Sequence, residues 1–276
     1  MINFGSLSSK IVDDNSCVYQ ILPGQSGKIV LDCSDFDYEK LTINIGDDCE
    51  ISMVIISELK NGEIVLNVGK NTSSKISIFA KKEAFDSSLS INLEEEANVE
   101  VAYADFTSGR KDEKVVVNLN GPKSSIMWHL AALSQKNDYK NYEINFNHNV
   151  GETKAKMENY GVCKDASTLN FLGDAVIIKG AKKASTNQNA KIMVFDKTCH
   201  AKASPKLCIS ENDVEASHGA SEGQINNDHV YYLTSRGIDE ETAKRIITFG
   251  YLNPIVKYFD DEVIRKDIEK CIIEKV

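Results

Sequence analysis

A short unit, asparagine between two apolar residues, comes round six times in the first two thirds of the chain: INI at Asn44, LNV at Asn67, INL at Asn92, VNL at Asn118, INF at Asn145 and LNF at Asn170. Successive copies lie roughly 23 to 27 residues apart, a spacing found in solenoid repeats. After each of the first four, a polar stretch (GDDCE, GKNTSS, EEEAN, NGPKSS) leads into a second alternating run: EISMVIIS, SKISIFA, NVEVAYADF and SSIMWHLAAL. Alternation rich in β-branched and aromatic residues is strand patterning, and the intervening pieces have turn chemistry. No helical period occurs between about residues 30 and 225. A unit of two short strands cannot bury its own apolar side, so copies must stack. The pattern predicts a mainly β chain wound as a parallel β-helix, with a β-sandwich as the alternative for short, regularly spaced strands. The asparagines either stack as a ladder or, more simply, fill the outward polar positions that alternation demands.

After Gly223 the period changes. NNDHVYYLTSRG reads as a short helix beginning at Asn227 or Asp228 and closed by Gly237 in the left-handed conformation. IDEETAKRIITFG has Asp239 as N-cap, acids in its first turn, and a face of Ala243, Ile246 and Ile247 to which Ile238 staples. Gly250 is expected to end that helix, and Pro254 to open a new one. FDDEVIRKDIEKCIIEKV sets Ile264, Ile268, Cys271 and Ile272 in one stripe. The chain thus divides into a β-helix core over 1–223 and a helical region over 224–276. Such helices either cap the open end of the solenoid or present a docking face.

The net charge of −9, with no concentrated Lys/Arg patch, argues against nucleic acid and anionic membranes as main partners. No apolar run approaches the ~20 residues of a membrane span, and MINFGSLSSKIVDD is not a secretory leader, so a cytoplasmic protein is expected. The seven cysteines are odd in number and form no C-x-x-C pair, which fits reduced thiols packed as small hydrophobes. Cys208, inside an apolar strand, is read as packing. Trp128 and His129 read as core-edge residues, and His148 can point either way. Walker A, dinucleotide, G-x-S-x-G and H-E-x-x-H motifs are absent, which weakens an enzyme reading without excluding it. A β-solenoid binding module for a protein or carbohydrate partner, without metal chemistry, is one functional reading. The single Trp and dispersed acids do not suggest a sugar groove.

A second reading comes from SPKLCISENDVEASHGASEGQINNDHVYYLTSRGIDEETAKRIITFGY. Its Pro205, Asp213-Val214, Ser217-His218-Gly219-Ala220, Gly223, Ile225, Tyr232-Leu233, Ser235-Arg236-Gly237-Ile238 and Ala243 resemble the C-terminal signature of the SufB/SufD family, in particular the SufD type. These are scaffold components of iron–sulfur cluster assembly. The preceding stretch from FNHNVGETKAK to KIMVFD is similar more loosely, so the likeness covers roughly residues 140 to 255. It implies a right-handed parallel β-helix followed by helices. It also implies pairing with a SufB-type subunit or a second copy through the β-helices, and docking of a SufC-type ABC ATPase on the helical region. Tyr232, Arg236, Gly237, Phe249, Tyr251 and Pro254 are then the partner-binding residues. A nascent cluster or iron would be held transiently at the dimer interface, with no nucleotide bound by this chain itself.

The resemblance also assigns His218 a cluster-binding role, and a neutral imidazole is a good iron ligand. From the residues alone, His218 reads as capping the strand-to-helix turn through a ring N–H. The key cysteine of SufB-type members falls near Ala190 and has no counterpart here. Cys199 stands where those members can carry a second cysteine, which makes it a metal-ligand candidate beside His218. The N-terminal helical extension of longer members is not seen in this sequence.

Overall fold

The computed structural model describes residues 7–13, 15–33, 39–57 and 62–275; the start of the stretch read for a leader lies outside them. Its strands are, in chain order, β1 (Leu7–Asp13), β2 (Ser16–Ile21), β3 (Ser26–Asp32), β4 (Lys40–Ile45), β5 (Glu50–Ile56) and β6 (Glu63–Val68). Next come β7 (Ser73–Ala80), β8 (Ser87–Leu93), β9 (Asn98–Asp105), β10 (Arg110–Leu119), β11 (Ser125–Ser134) and β12 (Tyr139–His148). The series closes with β13 (Lys154–Cys163), β14 (Thr168–Ile177), β15 (Ser185–Val194), β16 (His200–Ile209) and β17 (Glu215–Gln224). From β2 onward the chain alternates between two sheets. The first is ordered β1-β2-β4-β6-β8-β10-β12-β14-β16 and the second β17-β15-β13-β11-β9-β7-β5-β3. Every pairing is parallel except β1 on β2. This is the predicted solenoid, not a sandwich.

In-register parallel pairing turns each inward position into a column. Ile43, Leu66, Ile91, Val117 and Phe146 form one such column, each essentially closed to solvent. The corner from the first sheet to the second is built the same way in rung after rung. Asp48, Asn71, Glu96, Lys123, Glu152 and Lys183 each adopt a left-handed conformation, with φ between 50° and 61°. The next residues, Cys49, Thr72, Ala97, Ser124, Thr153 and Ala184, are small and buried. A non-glycine residue in that conformation costs about 1–2 kcal/mol. Bonds between stacked corners offset it: Asn71 N–H donates to Glu95 O at 2.9 Å and Glu96 N–H to Pro122 O at 3.0 Å.

The asparagines face outward, half-buried, and they also stack. Nδ2 of Asn67, Asn92, Asn118 and Asn147 donates to Oδ1 of Asn44, Asn67, Asn92 and Asn118 at 2.8–2.9 Å. The two readings of the asparagines are therefore both true. Asn145 and Asn170 stand outside the ladder, because the register pairs Asn118 with Asn147 and Asn141 with Asn170.

The helices are α1 (Asn227–Thr234), α2 (Glu240–Leu252) and α3 (Glu262–Lys275), with a 3-10 helix at Asn253–Tyr258. Asn226 caps α1, Gly237 follows at φ 87°, and Asp239 caps α2 by accepting from Thr242 N–H. Gly250 does not end α2, which continues to Leu252 and passes into the 3-10 helix, with Pro254 in its first turn. Ile246 is exposed, unlike its expected face-mates: Ala243 is buried, and Ile247, one helical turn on, shares Ala243's side. Ile264, Ile268, Cys271 and Ile272 form the buried stripe of α3 as expected.

These helices do not cap the solenoid end. α2, the 3-10 helix and α3 lie along the outer face of the second sheet and build a second core. Leu252, Ile255, Phe259, Ile264, Ile268 and Ile272 meet Val54, Phe79, Ala102, Ala104, Ala131 and Leu133 there. That cover explains why SIFA in β7 and AAL in β11 lose the polar half of their alternation, since strands buried on both faces read as apolar runs. Trp128 is wholly inside, its Nε1 donating to Asn159 Oδ1 at 3.0 Å. His129 lies on the covered outer face, stacked on Tyr258 at 3.9 Å. His148 points into the solenoid. Among the described residues no helix is long and apolar enough to cross a membrane.

Candidate functional site

The last strands of the two sheets, β16 and β17, are each paired on one side only. Their inward positions follow from register. Ala201, Ala203, Pro205, Leu207 and Ile209 stand on Leu169, Phe171, Gly173, Ala175 and Ile177. Ala216, His218, Ala220, Glu222 and Gln224 stand on Thr186, Gln188, Ala190, Ile192 and Val194. The lower layer is buried except for half-buried Val194, whereas most of the upper one is open to solvent. The end is therefore a cut surface through the core.

His218 is in the middle of β17, exposed and without a side-chain hydrogen bond among the described residues. It does not cap the turn before the helix, because that turn begins only after Gln224. Beneath it lies Gln188, 1% exposed, whose Nε2 donates to Lys206 O at 3.0 Å while Oε1 finds no partner. Gly173 makes room for that amide, since a Cβ there would stand 2.7 Å from Gln188 Oε1. Glu222 crosses the open end and accepts from Ala203 N–H. Together these contacts set His218 opposite Lys206 and Leu207, and Glu222 opposite Ala203.

Cys199 precedes β16 and is half-exposed, its Sγ donating to Asp165 O at 3.5 Å. It lies on the far side of Ala203 from His218, so one chain does not bring these two candidate ligands together. No group of three or more His, Cys, Asp or Glu side chains is arranged for a metal ion among the described residues. Cys208 is not packing: it sits on the outer face of β16, exposed.

The partner-binding candidates divide. Tyr232 and Arg236 are exposed and stack, guanidinium over ring at 4.0 Å, and Gly237 and Pro254 are also exposed. Phe249 and Tyr251 turn partly inward; Phe249 joins the second core, and the Tyr251 ring meets Tyr160 edge-on at 5.7 Å. Exposed Tyr231, Ile246, Val263 and Ile273 leave further apolar surface on the helices, and only the first two fall in the stretch expected to dock a partner.

A buried ionic cluster sits deeper in the solenoid, and sequence reading missed it. Lys111 Nζ lies 2.8 Å from Asp105 and 2.9 Å from Glu113, and Lys140 Nζ lies 2.9 Å from Asp105. Burial alone would raise the Asp105 pKa, but the Lys111 and Lys140 charges hold it well below the usual carboxylate range. Burial pulls Lys140 down, and its one carboxylate contact does not fully compensate. Lys111, also buried but held by two carboxylates, is raised. The sequence did carry a signal: Lys111 and Glu113 share the parity of inward Val115, Val117 and Leu119.

The family described as "SUF system FeS cluster assembly, SufBD core domain" matches residues 33–251. The iron-sulfur cluster assembly protein SufD of Bacillus subtilis (strain 168) is 37% identical over 117 residues, 42% of this chain and 27% of that protein. SufD of Escherichia coli (strain K12) is 25% identical over 150 residues, 54% of this chain and 36% of that protein. SufD of Plasmodium berghei (strain Anka) is 24% identical over 187 residues, 67% of this chain and 14% of that protein. The matched stretches thus span about a third or less of these relatives' own lengths.

Proposed function

The chain belongs to the SufBD family of the SUF system for iron–sulfur cluster assembly, and on that premise we propose that it is a SufD-like scaffold subunit, not a catalyst. It pairs through β16 and β17 with a SufB-type subunit or a second copy of itself, and it docks a SufC-type ABC ATPase on the helical region between Tyr231 and Phe259. His218 stands at the subunit seam and lends its imidazole to a nascent cluster or iron, which is cargo held in passing. Cys199 is the candidate thiolate, and the chain itself binds no nucleotide. Its compartment is the cytoplasm. The observation that carries this reading is the uncovered end, with His218 unpartnered on a strand paired along one edge only. Exposed strand edges and bared core positions call for a covering partner. A second chain laid on this end also brings further ligands to His218, which one chain does not supply.

The test is co-expression with the neighbouring subunit genes, anaerobic purification, and iron and sulfide analysis. His218→Ala leaves the fold intact, because the exposed ring has no side-chain hydrogen bond to lose, and lowers loading several-fold. Unchanged loading makes His218 an ordinary surface residue. Deleting the helices is a poor probe of ATPase docking, since it bares the second core. Tyr232→Ala is the cleaner variant, and it weakens capture of the ATPase while the melting curve stays put.

A further inference from the structure

The corner that returns the chain from the second sheet to the first carries small polar residues in successive rungs. In its last two rungs thiols take their place. Cys163 ends β13 in register with Ser134. Cys199 stands one residue before His200, which pairs with Thr168; it therefore lies above Ser167, as Ser167 lies above Asp138. The Cys163 sulfur is enclosed by Ser167 O at 3.4 Å, Ser167 Oγ at 3.3 Å and His200 O at 3.9 Å, so it touches both the residue beneath Cys199 and the residue that follows it. One sulfur is sealed in the wall and the other is half-open to water.

We propose that Cys163 and Cys199 form a reversible dithiol–disulfide site, oxidised by hydrogen peroxide. The Cys199 thiolate attacks one peroxide oxygen and breaks the O–O bond. The departing hydroxide takes up the thiol proton as water and leaves a sulfenic acid on Cys199. The Cys163 sulfur then attacks the Cys199 sulfur, and the sulfenic hydroxyl departs with the Cys163 proton as a second water. Two electrons pass from the thiols to the peroxide, and an external dithiol reverses the change. The division of labour follows exposure. Cys199 meets the oxidant. Cys163, buried behind Ser167 and the His200 carbonyl, is shielded from it and acts as the resolving thiol.

The molecule carries its own controls. Cys17 and Cys33 are both buried and have no half-open member. Cys208 is exposed on the outer face of β16. The site does not rest on the scaffold reading, because it is tested on the reduced, metal-free chain.

That chain is treated with a small excess of hydrogen peroxide, its remaining thiols are mass-tagged, and peptides are mapped. The expected result is loss of two tags, a linked Cys163–Cys199 peptide within one chain, and recovery of both tags with dithiothreitol. Cys163→Ser folds, since serine fills the same column at Ser134, and it leaves Cys199 as a sulfenic acid that dimedone traps. The proposal fails if Cys163 and Cys199 keep their tags at a dose that oxidises Cys208. It fails equally if Cys199 is found linked to Cys208 or to another molecule.

Discussion

At the scale of single residues, the strongest commitments lie inside the solenoid. Asp105 holds both Lys111 and Lys140, and each of the three is at most 5% exposed. Removing one member of such a set leaves a buried charge uncompensated, which costs about 3–5 kcal/mol. Asp105→Asn is therefore expected to lower the unfolding free energy in urea by that order, and a loss under about 1 kcal/mol would mean water reaches the lysines. His148 is a second internal test. It is fully buried, Nδ1 sits 2.7 Å from Thr153 Oγ1, Nε2 has no partner, and burial takes its pKa down to about 4. In the unfolded chain it titrates near 6.5. Between those values the unfolded state binds the extra proton, so the stability from keeping His148 neutral is complete above about 6.5 and lost as pH falls toward 4. The full effect is on the order of 3 kcal/mol. Stability measured against pH should be steeper over that window in the parent than in His148→Leu; equal slopes would sink the assignment. INFNH put His148 on the parity of apolar Ile144 and Phe146, but it left open whether β12 runs as far as His148, its last residue.

At the scale of elements, periodicity found the strands and helices but not how they lie on one another. Each rung's two strands were readable because their alternation is local. The ladder's membership was not, because Asn145 and Asn147 both lie in INFNHN, and only pairing with Asn118 chooses between them. The helices show the same limit. Asp239, Gly237 and the α3 stripe are local signals and stand as read. Where the stripe would land was open, although the two-sided apolar runs in β7, β9 and β11 marked the sheet face that needed cover. Phe259 is the sharpest probe of that cover, being fully buried between the helices and the sheet. Phe259→Ala should cost about 3–5 kcal/mol. Because the solenoid's own columns do not touch Phe259, amide exchange should rise first in α2, α3 and the outer face of β9 and β11. Uniform loosening of the whole chain would instead mean that the two cores unfold as one.

At the scale of the whole molecule, the two ends of the solenoid are treated differently. At the N-terminal end of the first sheet, β1 turns back antiparallel on β2 and shields that edge. At the C-terminal end the helices pass down the flank and leave β16 and β17 bare. A guard there is Glu222, an acid at an inward position, which occupies Ala203 N–H, and Pro205 in β16 offers no N–H at all. Inward charges on edge strands discourage indiscriminate pairing. A partner at this end must therefore accommodate that carboxylate, and this favours a chosen surface over a chance one. The proposed seam can be tested without touching His218 or either thiol. Leu207 is half-exposed in the bare column opposite His218, so Leu207→Glu removes little from the isolated chain. In a pairing that covers this end, the new carboxylate would be buried without a partner, at several kcal/mol. Association should then weaken by at least ~10-fold, since each tenfold is about 1.4 kcal/mol. Light scattering on the purified complex reads this directly. A complex that survives Leu207→Glu at unchanged strength places the seam elsewhere and removes the reason for putting His218 at a shared site.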